Sequence, residues 1–358
     1  MPPLLRFIIV RFLAIPVTVL IITMILYAFV MITPPETRAQ LYFIGKMPAT
    51  IDSEERIQHS TEMIIRQYHL RDPYPIQYIY WLGQLVRGQW GYSPILKENV
   101  LSALIRRTPV TIELTLYSLL VFFPIGLITG MTAGWRKHSA YDRRFRAAAF
   151  IASSIPLFIL ALVLLDIFYV AVYWFPPERL SIANSQLVIS NEWRQITGLV
   201  TIDGLLNGRP DVSLDGLRHL VLPVLILSLM QWATLGRITR VSVIDESQKD
   251  YVLAARARGV RERNLLWGHT FRNVMPPALN STALSVAWLL TGVYVVEIIF
   301  NFNGISDVVV RGLLGIPDAS SVLGFAIYNV ILVSLVMFAL DIIQVIVDPR
   351  LREGMIVR

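Results

Sequence analysis

The sequence has no cysteine and few charged residues. Because none of its 358 residues is a cysteine, the chain can form no disulfide scaffold, no Cys-ligated zinc site and no thiol nucleophile. Only 16% of its residues are charged, against about a quarter in ordinary soluble domains, while 55% are hydrophobic. This balance excludes an ordinary water-soluble globule and indicates an integral membrane protein.

Motifs for catalysis and metal binding are also missing. The five histidines form no H-E-x-x-H motif and no close pair suited to a metal ion. No G-x-S-x-G nucleophile motif occurs. An intramembrane enzyme therefore has little support, and a self-sufficient secondary transporter, which is the other alternative, should show inverted repeats that are not visible here.

Six apolar runs without charge are each close to the roughly 20 residues that cross a bilayer as a helix. They cover residues 12–32, 114–135, 147–165, 219–236, 276–296 and 319–340. The third and sixth continue past Asp166 and Asp341 to about residues 175 and 347. The first is too long for a secretory signal and no A-x-A site follows it, so it is expected to remain as a membrane helix. The predicted fold is all-α with six transmembrane helices.

The distribution of basic residues predicts the orientation. With six spans both termini lie on one side, and that side holds 18 of the 32 Lys and Arg residues against 7 acids. By the positive-inside rule this side is cytoplasmic, so the basic excess predicts topology and no nucleic-acid binding. The expected organisation is a cytoplasmic N-terminus with the first span (1–33), an extracytoplasmic region (34–109), a helical core (110–347) with an extracytoplasmic loop (176–218) and a cytoplasmic loop (237–275), and a cytoplasmic tail (348–358).

Two local patterns predict how helices are built and packed. A helix over residues 74–92 is rich in aromatic rings, which favour the membrane surface. In the second span, Gly126, Gly130 and Gly134 form one small stripe along which a neighbouring helix can approach closely. Thr108 and Pro109 are expected to open that span as N-cap and first-turn proline.

Four acidic residues lie in or beside the spans, where ionisable groups are costly and usually face protein or water. Glu113 is explained by the positive end of the second helix. Asp341 is explained by a salt bridge to a loop arginine. Asp166 and Glu297 are candidates for a pathway or gate, and we expect both to face protein or water.

The loop at 237–275 is the most informative segment. The run Asp250-Tyr251-Val252-Leu253-Ala254-Ala255-Arg256-Ala257-Arg258-Gly259 predicts a short helix with a small-residue surface, ended by a glycine in the left-handed conformation. A second short helix is predicted over residues 261–273. A short, rigid helix with small exposed residues can insert into a cleft of another protein.

This loop resembles the cytoplasmic signature E-A-A-x-x-x-G of permease subunits of bacterial ATP-binding-cassette importers, with Leu253 in place of the acid. The pattern D-Y-V-x-x-A-R-A-x-G followed by R-H-x-x-R-N-x-x-x-P is similar to the dipeptide, oligopeptide and nickel branch, here with Gly268 before His269. The resemblance covers about residues 4–352. Further matching residues are Leu70, Pro73, Gln77-Tyr78, Trp81-Leu82, Gly88, Gly91-Tyr92-Ser93, Ser154-Ile155-Pro156, Trp174-Phe175-Pro176, Gly216-Leu217-Arg218-His219, Leu222-Pro223, Glu297, Phe300, Asp341 and Asp348-Pro349-Arg350.

The resemblance implies a type I importer permease of the bacterial inner membrane, the B-type member of its pair. It implies a heterodimer with a second permease, two ATP-binding subunits and an extracytoplasmic substrate-binding protein. ATP and Mg would be bound by those partners, because this chain has no G-x-x-x-x-G-K-[ST] phosphate loop. Peptide is the expected cargo, with nickel chelates and oligosaccharides as alternatives. The residues implied to couple to the ATPase are Asp250, Tyr251, Ala254, Ala255, Ala257, Arg258 and Gly259.

Overall fold

The computed structural model describes residues 3–39, 54–314 and 318–347. The elements in these ranges are α1 (Pro3–Val30), α2 (Pro35–Ala39), α3 (Glu54–Gln67), α4 (Tyr74–Val86), β1 (Tyr92–Ser93), β2 (Glu98–Asn99), α5 (Val100–Trp135), α6 (Ala140–Ser154), α7 (Leu157–Leu165), a π-helical segment (Asp166–Ala171), α8 (Ile182–Ile189), α9 (Val200–Leu206), α10 (Pro210–Ser247), α11 (Asp250–Ala257), α12 (Glu262–Asn264), a second π-helical segment (Leu265–Thr270), α13 (Phe271–Ile299), α14 (Ser306–Leu313) and α15 (Ala319–Val347). The matching motif Asp348-Pro349-Arg350 and the tail at 348–358 lie outside the described residues.

The chain divides into two compact units. The first consists mainly of Pro109–Asn303, and the second of Arg6–Thr108 and Gly304–Phe338. The first contains α11 and the supports described below, and each unit is described by itself.

Helices long and apolar enough to cross a membrane agree with the predicted all-α fold. Five single helical segments in the described ranges meet these criteria, and α6 with α7 makes a sixth if that bent pair is one span. The pair is bent by 96°, so the predicted continuous third span is wrong. Ile155 has extended backbone angles (φ −88°, ψ 123°), because the ring of Pro156 clashes with a helical residue before it.

The start of α5 also differs from the prediction. The β1–β2 ribbon leads directly into a helix that begins at Val100, so Pro109 lies inside the helix. The Thr108 hydroxyl donates to the Leu104 carbonyl oxygen over 2.8 Å and caps nothing. Glu113 is consequently well inside α5, away from its positive end.

The predicted close approach along the glycine stripe is confirmed. A Cβ atom at Gly130 would lie 2.5 Å from the Gly236 carbonyl oxygen of α10, and one at Gly134 would lie 2.6 Å from the Arg240 carbonyl oxygen. Only a residue without a side chain permits this contact between backbones. The seam holds α10 against α5 up to the end from which α11 follows.

An aromatic cluster forms the core of the second unit. The rings of Tyr27 on α1 and Trp81 on α4 stack with centroids 4.7 Å apart. Trp81 is buried among these rings, and the expected position of this helix at the membrane surface stays a prediction. The predicted helix also ends earlier than residue 92, at Val86, and Gly88 then adopts a positive φ of 79°.

Candidate functional site

The helix α11 forms where its sequence predicts. A two-residue turn follows α10, and Lys249 takes extended backbone angles (φ −75°, ψ 149°) before the helix begins at Asp250. Its carboxylate lies in the first turn, where the helix dipole favours negative charge. At the other end Gly259 has a φ of 79°. Its N–H donates to the Arg256 carbonyl oxygen over 2.9 Å, and that of Val260 to the Ala255 carbonyl oxygen over 3.2 Å, the Schellman pattern that ends a helix.

Two faces of α11 have different surroundings. Val252 and Ala255 are buried, and α11 packs against the Leu265–Thr270 segment. The prediction that Ala255 forms part of an exposed surface is therefore wrong, because it lies three residues after Val252 on the inward face. The exposed residues are Asp250, Leu253, Ala254, Arg256, Ala257, Arg258 and Gly259. Leu253, absent from the predicted site, is 49% exposed and stands at the centre of this outward face.

Tyr251 lies half-buried and ties three helices together. Its hydroxyl donates to Oε2 of Glu246 at the end of α10 over 2.8 Å and accepts from Nδ2 of Asn273 at the start of α13 over 2.9 Å. The Lys249 ammonium also donates to the Glu246 carboxylate. Burial first, and then the Glu246 carboxylate, raise the pKa of the Tyr251 phenol, which therefore stays protonated and able to donate. Tyr251 supports α11 and is not part of its outward surface.

Arg256 makes a second tie at the far end of α11. Its Nε and Nη2 donate to the two carboxylate oxygens of Glu262 over 2.7 and 3.2 Å, and this hydrogen bonding raises the pKa of the guanidinium. The guanidinium carbon also lies 5.7 Å from the centroid of the Trp135 ring at the end of α5. These contacts fix α11 to α12 and to α5.

The second predicted helix of the loop is not separate. Residues Glu262–Ile299 form one helical segment, in which α12 and the Leu265–Thr270 segment lead straight into α13. No glycine or proline stop occurs between residues 262 and 275 except Gly268, which stays helical. The chain is therefore helical without a break from α12 to the end of α13, and the turn that contains Gly259 separates this segment from α11.

A buried ion pair fixes the neighbouring turn between α5 and α6. Asp142, fully buried, accepts from Nε and Nη2 of Arg240 on α10 over 2.5 and 3.0 Å. It also accepts from the backbone N–H of His138 over 3.1 Å. The pair joins residues 98 positions apart, which sequence patterns do not reveal.

Glu113 is held by partners far along the chain. It accepts from Nη2 of Arg179 over 2.7 Å and from the backbone N–H and hydroxyl of Thr201 over 3.0 and 2.7 Å. The explanation by a helix end is therefore wrong. The carboxylate instead attaches the segment between α7 and α10 to α5.

The two pathway candidates are placed differently. Glu297 is fully buried and accepts from the Thr111 hydroxyl, so it faces protein, as expected. Asp166 lies in the Asp166–Ala171 segment with its side chain exposed in this single chain. Their roles as pathway or gate residues stay predictions, as does the salt bridge expected of Asp341, which is half-buried on α15.

The described residues hold no group of three or more His, Asp or Glu side chains that could bind a metal ion.

The contacts of α11 described above are hydrogen bonds and ion pairs with neighbouring helices. They can transmit a displacement.

Comparisons with known proteins agree on one kind of membrane protein. Residues 123–353 match the profile of the family described as binding-protein-dependent transport system inner membrane component. The di/tripeptide transport system permease protein DppB of Pseudomonas aeruginosa is 30% identical over 77% of this chain and 80% of its own length. The oligopeptide transport system permease protein AppB of Bacillus subtilis is 29% identical over 85% and 89%. A putative peptide transport system permease protein of Brucella abortus is 29% identical over 95% and 96%.

The family match covers more than half of the chain and includes α10, α11 and α13, whose junction carries the Tyr251 contacts. The chain therefore belongs to the family of inner membrane components of binding-protein-dependent transport systems.

Proposed function

We propose that this chain is a permease subunit of an ATP-binding-cassette importer for peptides, and that α11 couples it to ATPase subunits. The observation that carries the proposal is the outward face of α11, with Ala254 and Ala257 beside Leu253, held on a helix tied at both ends. A protein that binds this face and displaces α11 would displace α10, α13 and α5 with it, because α11 contacts all three helices.

The contacts of Tyr251 and Arg256 explain how a displacement of α11 would reach the long helices rather than only bend the loop. Tyr251 joins its first turn to α10 and α13, and Arg256 joins its last turn to α12 and to Trp135 of α5. Gly259 then fixes the direction of the chain after α11. Small side chains on the outward face permit close contact with a cleft.

The charge distribution supports a cytoplasmic location for α11. The Arg256 contact with Trp135 and the Asp142–Arg240 pair put the α5–α6 turn at the same end of the first unit as α11. The basic residues gathered at this end are Arg136, Lys137, Arg143, Arg144, Arg146, Arg258, Arg261 and Arg263. Excess basic charge marks the cytoplasmic side, and both termini are proposed to lie there too.

The partners follow from this proposal. They are a second permease, two ATP-binding subunits that hold ATP and Mg, and an extracytoplasmic substrate-binding protein. Peptide is proposed as cargo because three relatives that match along most of this chain are named as peptide transport system permeases. The same machinery could import nickel chelates or oligosaccharides, and a cargo assay decides among these.

The decisive experiment uses the purified complex in lipid nanodiscs and in proteoliposomes. We expect this chain to co-purify with the ATPase subunits and peptide with its binding protein to stimulate ATP hydrolysis and drive uptake. Peptide flux through this chain alone would instead support a self-sufficient transporter and overturn the proposal.

Variants on the outward face test the role of α11. Ala254→Glu with Ala257→Glu is expected to abolish peptide-stimulated hydrolysis while membrane insertion remains normal. The matched control is Ala183→Glu, an exposed alanine on α8, which should behave as wild type. Normal stimulation in the Ala254→Glu, Ala257→Glu variant would refute coupling through α11.

A further inference from the structure

An uncharged groove, mostly apolar but with a few polar side chains, runs between α7, α10 and α13. Its volume is about 510 Å³, and it is lined by Gln231 from α10 and by Ser281, Ser285 and Trp288 from α13. No charged residue lines it. The groove lies wholly within the first unit and is separate from α11.

Ser281 and Ser285 have hydroxyls without partners. They stand one turn apart on α13, with 5% and 3% of their surface exposed, and neither Oγ has a hydrogen-bond partner among the described residues. Both lie in the apolar segment Glu262–Ile299. A hydroxyl left unsatisfied in an apolar environment costs free energy. Ser281 and Ser285 differ from the other unpartnered hydroxyls of this unit, such as Ser118, because they also line a groove that a ligand can enter.

A second groove on the same unit gives the contrast. It has about the same volume, 500 Å³, and lies between α5 and α10. Its polar residues are already satisfied: the Tyr117 hydroxyl donates to Thr201, the Ser228 hydroxyl to the Ser118 carbonyl oxygen, and the Trp232 indole to Thr129. That groove suits a lipid chain or an apolar helix, whereas the α10–α13 groove also holds two hydroxyls without partners.

The rim of the α10–α13 groove argues against a transmembrane helix as its occupant. Close helix seams in membranes use small residues, as the Gly130 contact with α10 does in this chain. Here the rim carries Leu284, 64% exposed, and Trp288, 73% exposed. Bulky rim residues around a groove with two buried hydroxyls suit a narrower chain.

We propose that the α10–α13 groove lines the translocation pathway and that the Ser281 and Ser285 hydroxyls hydrogen-bond the main-chain amides of a passing peptide. A hydroxyl can donate to a carbonyl and accept from an N–H, the two groups that every peptide main chain carries. Because no charge lines the groove, side-chain charge does not select the cargo there. This inference rests on the proposed function as a peptide permease.

The absence of cysteine makes the test direct. Ser281→Cys and Ser285→Cys are nearly isosteric and introduce the chain's only thiol, in a full complex whose other subunits are cysteine-free. A charged, membrane-impermeant methanethiosulfonate is expected to label both in at least one nucleotide state, and transported peptide should slow the labelling. The matched control is Ser118→Cys, whose hydroxyl is also buried and unpartnered but lines neither groove, and which should stay unlabelled.

A second measurement concerns recognition. Ser281→Ala with Ser285→Ala is expected to lower peptide uptake about fivefold or more, the loss of roughly one hydrogen bond, equally for acidic, neutral and basic peptides. Unlabelled cysteines in every nucleotide state, labelling indifferent to peptide, or unchanged uptake in the alanine variant would overturn the assignment of the groove. If the wild-type complex transports no peptide, the proposed function itself fails, and peptide as the occupant fails with it.

Discussion

The Tyr251 hydroxyl donates to Oε2 of Glu246 over 2.8 Å across the turn that joins α10 to α11. The same hydroxyl accepts from Asn273, so one phenol links the end of one long helix to the start of the next. The outward face of α11 carries the proposed contact with the ATPase, whereas Tyr251 is proposed to pass the movement of α11 to α10 and α13.

Tyr251→Phe removes both hydrogen bonds and keeps the ring. We expect a loss of about 1 kcal/mol in the free energy of unfolding, since the site is partly exposed and Lys249 still pairs with Glu246. Basal ATP hydrolysis should persist while the peptide transported per ATP falls severalfold. Paired uptake and hydrolysis assays measure this ratio.

The control for that variant is Tyr141→Phe, an exposed phenol on α6. It should leave the ratio of uptake to hydrolysis at the wild-type value. Equal ratios for Tyr251→Phe and wild type would show that the phenol does not transmit movement.

The raised pKa of Tyr251 predicts a pH dependence. A folded-state pKa above the unfolded value of about 10 means that the phenol's contribution to stability is fully present below pH 10 and is lost as pH rises through the higher folded value. The stability difference between wild type and Tyr251→Phe should therefore be constant between pH 7 and 9 and shrink above pH 10. Denaturation of both proteins over this range checks it; a difference that shrinks already below pH 9 contradicts it.

Asp142→Asn is expected to be one of the most damaging single changes in the first unit. It leaves the Arg240 guanidinium, 16% exposed, without its buried anionic partner, and breaking such a pair costs about 3 kcal/mol. Thermal unfolding in detergent measures the loss. The exposed pair Arg209–Asp211 provides the control, because Asp211→Asn removes only a solvent-screened contact and should leave the melting temperature close to the wild-type value. Similar losses of stability for Asp142→Asn and Asp211→Asn would contradict this prediction.

Sequence patterns predict the parts of this structure that depend on neighbouring residues. The apolar runs, the glycine stripe and the Gly259 stop are each local, and each is found in the structure. The bend at Ile155 is also local, since Pro156 indicates it. It was missed because the apolar run continues across the break.

Sequence patterns do not predict contacts between residues that are far apart along the chain. Glu113 meets Thr201, and Asp142 meets Arg240, only after the helices have packed. Ala255 belongs to a small-residue motif, yet its rotation about α11 places it inward beside Leu265–Thr270. Which small residues face a partner is settled by packing.

Gly130→Ala tests whether the close seam between α5 and α10 is required. The new Cβ would lie 2.5 Å from the Gly236 carbonyl oxygen and 2.9 Å from Cβ of Thr239, so the helices must separate, although alanine favours a helix by about 1 kcal/mol. We expect a net loss of about 1–3 kcal/mol from overpacking, and reduced uptake because α10 carries the Glu246 contact to α11. Gly83→Ala is the matched control: it is helical and meets no atom within 4 Å, so the helical preference alone should leave it as stable as wild type or more so. Equal melting temperatures for the two alanine variants would show that the backbones of α5 and α10 do not need to be this close.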